Sequence, residues 1–333
     1  MLKHIKDHRT GHFMIILVIC AALDSFTHTS YTGSHMMRSI QLASILILFP
    51  MLTLILGQQE KEREDGDKDW LWDAGAAFIL YLGLKTIRNL ALLAMGSKVD
   101  WLLLSDQTQL SFFFMAGVYI LIGPFIRKGN QRLLLGLSVA LAVLIGFLPF
   151  NGQLFCAFRI IHFLPFFILG FMVDMEVVEK VIRNYFWALF SLTTLFITAL
   201  LLYWEKGTLY KLRPLLLGTM NYAALDKYAL FGPLLRLGYY PLILLLALAA
   251  YTFMPGRRIH RLEKFHISER ALQIMYLCTI LYLPARKACE LADLVLPGSV
   301  CKLMYLGIAV VLCFVLGLIN LDFIFKGKFL KRR

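Results

Sequence analysis

Arg159 and His162 stand three residues apart inside an apolar run, FRIIHFLPFFILGF, from Phe158 to Phe171. On a helix that spacing puts a guanidinium and an imidazole on one face. A guanidinium at the centre of a bilayer costs from about 3 to over 10 kcal/mol, so such a side chain points into protein or a watery cavity. The cation suits an anion, and the imidazole suits proton transfer at neutral pH. The alternatives are bland ones: Arg159 as a brace on backbone carbonyls near the membrane surface, and His162 as a core ring satisfied by one hydrogen bond.

Three further groups offer chemistry. Lys85 and Arg88 are also three apart in an apolar segment. They form either a clamp for phosphate or carboxylate, such as the pyrophosphate of an acyl-CoA, or a pair snorkelling to the membrane surface. Arg236 opens a later apolar segment, as an anion contact or an interface anchor. Asp24 and His28, four apart, form either a carboxylate–imidazole pair able to activate a hydroxyl or a helix end in water. No serine nucleophile elbow, HExxH, P-loop or dinucleotide fingerprint is present. The acidic loop Gln58 to Trp70 lacks EF-hand order, so it reads as a solvated connector and no metal is expected.

These residues sit in a chain whose composition belongs to membranes. Of 333 residues, 59% are apolar and 17% charged, against about half and a quarter in soluble domains; mean hydropathy is +0.70. The expected fold is all-α, a polytopic integral membrane protein forming one bundle over residues 1–333. A span needs roughly 20 mainly apolar residues. Ten segments qualify, at about 11–27, 39–57, 71–95, 108–126, 133–150, 155–174, 183–204, 229–254, 271–285 and 299–322. Lys3, Lys6 and Arg9 before the first run would also suit a signal peptide; with many spans following, an uncleaved first span is expected.

Orientation follows from the basic residues. With the N-terminus inside, 21 Lys and Arg fall on the cytoplasmic side and 9 outside. That asymmetry puts both termini in the cytoplasm. The net charge of +13 has the same origin, and no nucleic-acid-binding motif accompanies it. Trp204, Tyr210, Tyr222 and Tyr228 mark the longest outer connector as an interfacial belt or a cover over a site. Six cysteines lack CxxC spacing. Cys289 and Cys301 flank one loop and either pair or stay as thiols, since spacing alone does not establish bridging geometry.

Several segments, in order, resemble the membrane acyltransferase type 3 family, in the branch of fucose 4-O-acetylases. The strongest run is LSFFFMAGVYILIGPFIRK (Leu110–Lys128) followed by GFLPFNGQLFCAFRIIHFLPFFILGF (Gly146–Phe171), with its arginine before LPFF-x-x-G. FPMLTLILG (Phe49–Gly57), NYAAL (Asn221–Leu225), LLRLGYYPL (Leu234–Leu242) and YTFMPGRR (Tyr251–Arg258) extend the similarity over much of the chain. The resemblance implies a ten-helix plasma-membrane enzyme. It would move an acyl group, in the simplest case acetyl, from acyl-CoA as co-substrate to a hydroxyl on an envelope carbohydrate or lipid-linked acceptor. No permanently bound cofactor and no nucleic acid are implied. Carried over by position, Arg159 matches the family's arginine before LPFF.

The departures concern histidines. Where the family has one in its first helix, this chain has Cys20, or Ala21 in a shifted alignment. MYLCTILYLP (Met275–Pro284) and Phe49–Pro50 lack theirs as well. Loss of a general base removes about 10²–10⁴ in rate. The acyltransferase expectation therefore rests on Lys85, Arg88, Arg159 and Arg236 for binding, and on His162, His28 and Asp24 for proton transfer. The expectation from a different class is a catalytically silent relative, or a transporter, binding an anionic or lipid-linked ligand. The two halves carry no internal repeat, which weighs against transport.

Overall fold

In hydrocarbon every backbone N–H and C=O must be met within the segment, so long apolar runs become helices. A computed structural model of the chain describes residues 8–29, 34–63, 69–97, 99, 101–102, 108–148, 156–204, 209–255, 259, 263–293 and 297–321. Most of the described residues are helical, with no strand among them. The helices are α1 (His8–Thr29), α2 (His35–Lys61), α3 (Trp70–Ala94), α4 (Ser111–Lys128), α5 (Gln131–Leu144) and α6 (Ala157–Met172). They continue as α7 (Met175–Arg183), α8 (Tyr185–Trp204), the short α9 (Arg213–Leu216), α10 (Gly232–Thr252), α11 (Ala271–Ala292) and α12 (Gly298–Leu318).

Every apolar segment expected to be helical contains one of these helices. Seven candidates are long and apolar enough to cross a membrane: α1, α2, α3, α4, α8, α10 and α12. An eighth arises if α6 and the bent α7 form one span. The remaining two depart from the expected pattern. With its final 3-10 turn, α5 ends at Phe147 rather than 150 and is shorter than a span. α11 runs to Ala292, seven residues beyond the expected 285, and carries Arg286, Lys287 and Glu290 in its last turns.

α8 shows the membrane most plainly. Its 20 residues reach about 30 Å, the hydrocarbon thickness. Ser191 is its only buried residue among those described. Exposed Tyr185, Phe186 and Trp187 mark one end and exposed Tyr203 and Trp204 the other, the placement of interfacial aromatics.

Hydrogen bonds between helix ends fix how the elements alternate. At one end of the bundle, Gln109 just before α4 reaches Asp24 late in α1. Ser39 early in α2 reaches Leu202 late in α8, and Arg236 early in α10 reaches Ala142 late in α5. At the other end, Arg127 late in α4 donates to the Glu60 carbonyl late in α2, and Thr10 early in α1 bonds Tyr251 late in α10. At that second end two residues of the connector expected to be solvated at 58–70 are not, although Lys61 and Glu62 are exposed. Glu60 and Arg63 are buried, and Arg63 pairs with Glu60 at 3.3 Å and Asp73 at 2.6 Å.

α2 lies against α1, α4 and α6. Its approach to α6 is closest at Gly57 and Gly170, where a Cβ on Gly57 would lie 2.1 Å from the Phe167 carbonyl oxygen and one on Gly170 2.3 Å from that of Leu54. Without side chains at those two points the backbones come within van der Waals reach, which holds membrane helices together by packing. α6 is thereby pinned along its length, and its first two turns carry the candidate site.

Candidate functional site

α6 starts under strain. Cys156, buried at its N-cap, has φ +51°, a left-handed conformation costing a residue with a Cβ about 1–2 kcal/mol. Arg159 follows one turn later and is 1% exposed. Its Nε donates to the Leu217 carbonyl at 3.2 Å, and Nη1 donates to the Thr108 carbonyl at 3.1 Å and to the Ser111 hydroxyl. The guanidinium also stands 5.0 Å from the centroid of the Phe49 ring, a contact worth up to about 2 kcal/mol when dry. Arg159 thus ties α6 to α2, to the start of α4 and to the connector after α9. This is the brace alternative in its geometry.

His162 lies one turn on, 1% exposed. Its ring stacks on Tyr239 (centroids 5.0 Å, planes 27° apart) and lies beside Phe163 and Tyr240. Tyr240 donates its hydroxyl to the His162 backbone carbonyl at 3.0 Å, not to the ring. Among the described residues neither ring nitrogen has a hydrogen-bond partner. The ring is a core histidine packed among aromatics, as the bland alternative has it.

Arg236 is also 1% exposed, not an anchor at the membrane surface. Nη1 donates to Ala142 O at 2.7 Å, and the guanidinium lies 4.9 Å from the Tyr222 ring centroid. Nε and Nη2 have no hydrogen-bond partner among the described residues, nor does the buried hydroxyl of Tyr239. Tyr222, outside the spans, has its phenol pushed above the ordinary value by burial, with Arg236 pulling the other way. Each buried polar atom left unbonded costs about 1–3 kcal/mol. Five such atoms lie on His162, Arg236 and Tyr239 among the described residues, a polar cluster inside an apolar bundle.

Asp24 belongs to a neighbouring network. It is buried, and its two carboxylate oxygens accept from Gln41 Nε2 at 3.4 Å and Gln109 Nε2 at 3.1 Å. Tyr210 donates to the same Gln41 at 2.8 Å. A helix end in water is thus excluded for Asp24. The side chain of His28 lies outside the described residues. Gln109 is flanked by Thr108 and lies two residues before Ser111, so the Asp24 network adjoins the Arg159 brace through the start of α4.

Lys85 and Arg88 take other partners. Lys85 is buried, donates to the Leu102 carbonyl at 2.6 Å and stands 5.8 Å from the Tyr81 ring centroid. Arg88, half-buried, donates to the Thr279 carbonyl of α11 at 3.4 Å. The structure brings Arg159, His162 and Arg236 together and holds Lys85 and Arg88 on α3 and its neighbours.

Cys289 and Cys301 are free thiols. Among the described residues no group of three or more His, Cys, Asp or Glu is arranged to hold a metal. Tyr210 and Tyr222 carry cations: Arg38 and Arg213 lie on Tyr210, and Arg236 on Tyr222. Sequence reasoning missed Ser111, Gln109, Gly218 and Tyr239. Of these only Tyr239 carries a sequence signal, standing three residues after Arg236 on the same helix face. Comparison with protein-family models, curated proteins and solved structures gives no match for this chain.

Proposed function

We propose that this chain is a membrane-bound O-acyltransferase, moving an acyl group, in the simplest case acetyl, from acyl-CoA to a hydroxyl of an envelope carbohydrate or lipid-linked acceptor. The resemblance around LPFF-x-x-G supplies the reaction class. The single structural observation that carries it is the buried imidazole of His162, whose ring nitrogens have no hydrogen-bond partner among the described residues, packed on Tyr239 one helical turn from the buried Arg236.

On this reading a ring nitrogen of His162 takes the proton of the acceptor hydroxyl as its oxygen attacks the thioester carbonyl carbon. Negative charge develops on the carbonyl oxygen, where Arg236 meets it; such preorganised stabilisation is the largest contribution in many acyl transfers. The tetrahedral adduct collapses by breaking the carbon–sulfur bond, and the thiolate recovers the proton from the imidazolium. Tyr239 keeps the ring in plane, and Arg159 holds the connector at Leu217 over the site as a positioning residue. Lys85 and Arg88 are assigned to the donor's pyrophosphate. Asp24 and His28 remain the proton-transfer candidates nearest the acceptor side.

The proposal includes ten spans with both termini cytoplasmic in the plasma membrane. The basic-residue asymmetry and the alternating helix ends support it. The bilayer, the acyl donor and the acceptor are then the partners. A test is release of coenzyme A from acetyl-CoA by the purified protein, with Arg236→Ala beside it. Turnover that falls at least tenfold in the variant supports the proposal; no turnover with any acceptor sinks it.

One observation favours a second reading, a silent relative that binds an anionic ligand. Arg159, the residue best matched to the family, gives three hydrogen bonds to the protein itself, and the first helix has Cys20 or Ala21 where the family has its histidine. Tight acyl-CoA binding without turnover would favour it.

A further inference from the structure

Between the second half of α8 and the first half of α2 lies a partly open cavity of about 280 Å³, lined by residues that include Leu42, Leu46, Thr198, Leu201, Leu212 and Leu242. Its threonines do not make it polar. Thr198 donates to Thr194 O at 2.8 Å and Thr194 to Phe190 O at 2.9 Å, so both hydroxyls are engaged along their own helix. What the walls present is methyl and methylene surface. The cavity borders α8, the helix with almost no protein cover.

The residues next to Leu42 and Leu212, beyond the lining itself, have the opposite character. Arg38 lies one turn before Leu42 on the same face of α2, and Arg213 directly follows Leu212. Both guanidiniums lie against one ring, Tyr210, at 5.4 and 5.9 Å from its centroid. Lys211 stands between Tyr210 and Leu212 in the same turn. Exposed Tyr203 and Trp204 at the end of α8 set this level at the headgroup region. A basic rim above an apolar slot, at headgroup depth, complements a phosphate with an alkyl chain beneath it.

We propose that the α2–α8 groove holds one alkyl chain of an anionic phospholipid whose phosphate lies between Arg38 and Arg213. The assignment does not rest on the acyl-transfer reading. It has a consequence for the site, because Leu216 also lines the groove and its neighbour Leu217 accepts the Arg159 hydrogen bond. A chain in the groove stiffens the connector that covers His162.

The test is native mass spectrometry of the purified protein titrated with phosphatidylglycerol or phosphatidylcholine. The variants are Thr198→Trp, which fills the groove, and Arg38→Glu with Arg213→Glu, which reverses the rim. The wild type is expected to retain one phosphatidylglycerol at least tenfold more tightly than phosphatidylcholine. Thr198→Trp weakens that binding at least tenfold, the rim variant removes the headgroup preference, and free glycerol phosphate does not displace the lipid. Equal affinity for the two lipids, unchanged binding in either folded variant, or displacement by glycerol phosphate overturns the proposal. If Thr198→Trp does not fold, the rim variant decides.

Discussion

Gly218 and His162 touch where a side chain would not fit: a Cβ on Gly218 would lie 2.7 Å from the histidine Cβ and 2.9 Å from its Cγ. The glycine also has φ +61°, a left-handed conformation that a residue with a Cβ adopts only at a cost. The connector can therefore close over the imidazole only with glycine at this position. That closure, with Leu217 held by Arg159, keeps the ring dry.

Gly218→Ala is expected to destabilise the protein by about 1–2 kcal/mol from backbone conformation and to lift the connector. Thermal unfolding should show a lower midpoint, and diethylpyrocarbonate should modify His162 faster. A variant with wild-type unfolding and wild-type His162 reactivity would show that the close approach is not a constraint.

Gly57→Ala and Gly170→Ala should each loosen the α2–α6 contact. Overpacking of this kind costs about 1–3 kcal/mol, and here the obstructing atoms are backbone, which cannot rotate away. The two changes act at one contact, so the double variant should lose less than the sum of the singles. Additive losses in thermal unfolding would count against a shared contact.

Ser111→Ala takes one acceptor from the buried Arg159. Hydrogen bonds to charged groups are worth about 1.5–3 kcal/mol, so unfolding should move by that order. Arg159→Lys should cost at least as much, because an ammonium cannot reproduce the planar fork that meets Leu217, Thr108 and Ser111. Wild-type stability in both variants would contradict the brace.

Arg236→Met should separate stability from function. It loses the bond to Ala142 but also removes two buried nitrogens that have no partner among the described residues. The net change in stability is expected within about 1 kcal/mol, while acyl transfer falls by about 10²–10³. A large loss of stability with activity preserved would make Arg236 a structural group.

Much of the helical architecture was legible because lipid enforces it: apolar runs near span length have few alternatives to a helix. The ends were less so. α11 continues past 285 through Arg286 and Glu290, which pair at 2.6 Å one turn apart, charges that hydropathy counts as a break. The charged stretch around Glu60 and Arg63 looked solvated because acids and bases alternate there, yet the same alternation lets them neutralise one another in a buried place. At the site, cations inside apolar runs were conspicuous by their cost. What they bond to was not, since Leu217, Thr108 and Ala142 offer backbone carbonyls that any residue type would supply. Tyr239 and Gly218 were hidden for a similar reason: an aromatic or a glycine in an apolar chain signals nothing until the fold brings it against a histidine.

The central claim is that His162 is the proton acceptor of an acyl transfer, and it is tested most directly by single-turnover transfer of labelled acetyl from acetyl-CoA to added envelope carbohydrate. Wild type, His162→Gln and Arg159→Lys should be compared in lipid nanodiscs. The expected result is a loss of about 10²–10⁴ in rate for His162→Gln, with acetyl-CoA affinity unchanged and the unfolding midpoint preserved. Transfer by His162→Gln at the wild-type rate would contradict the account.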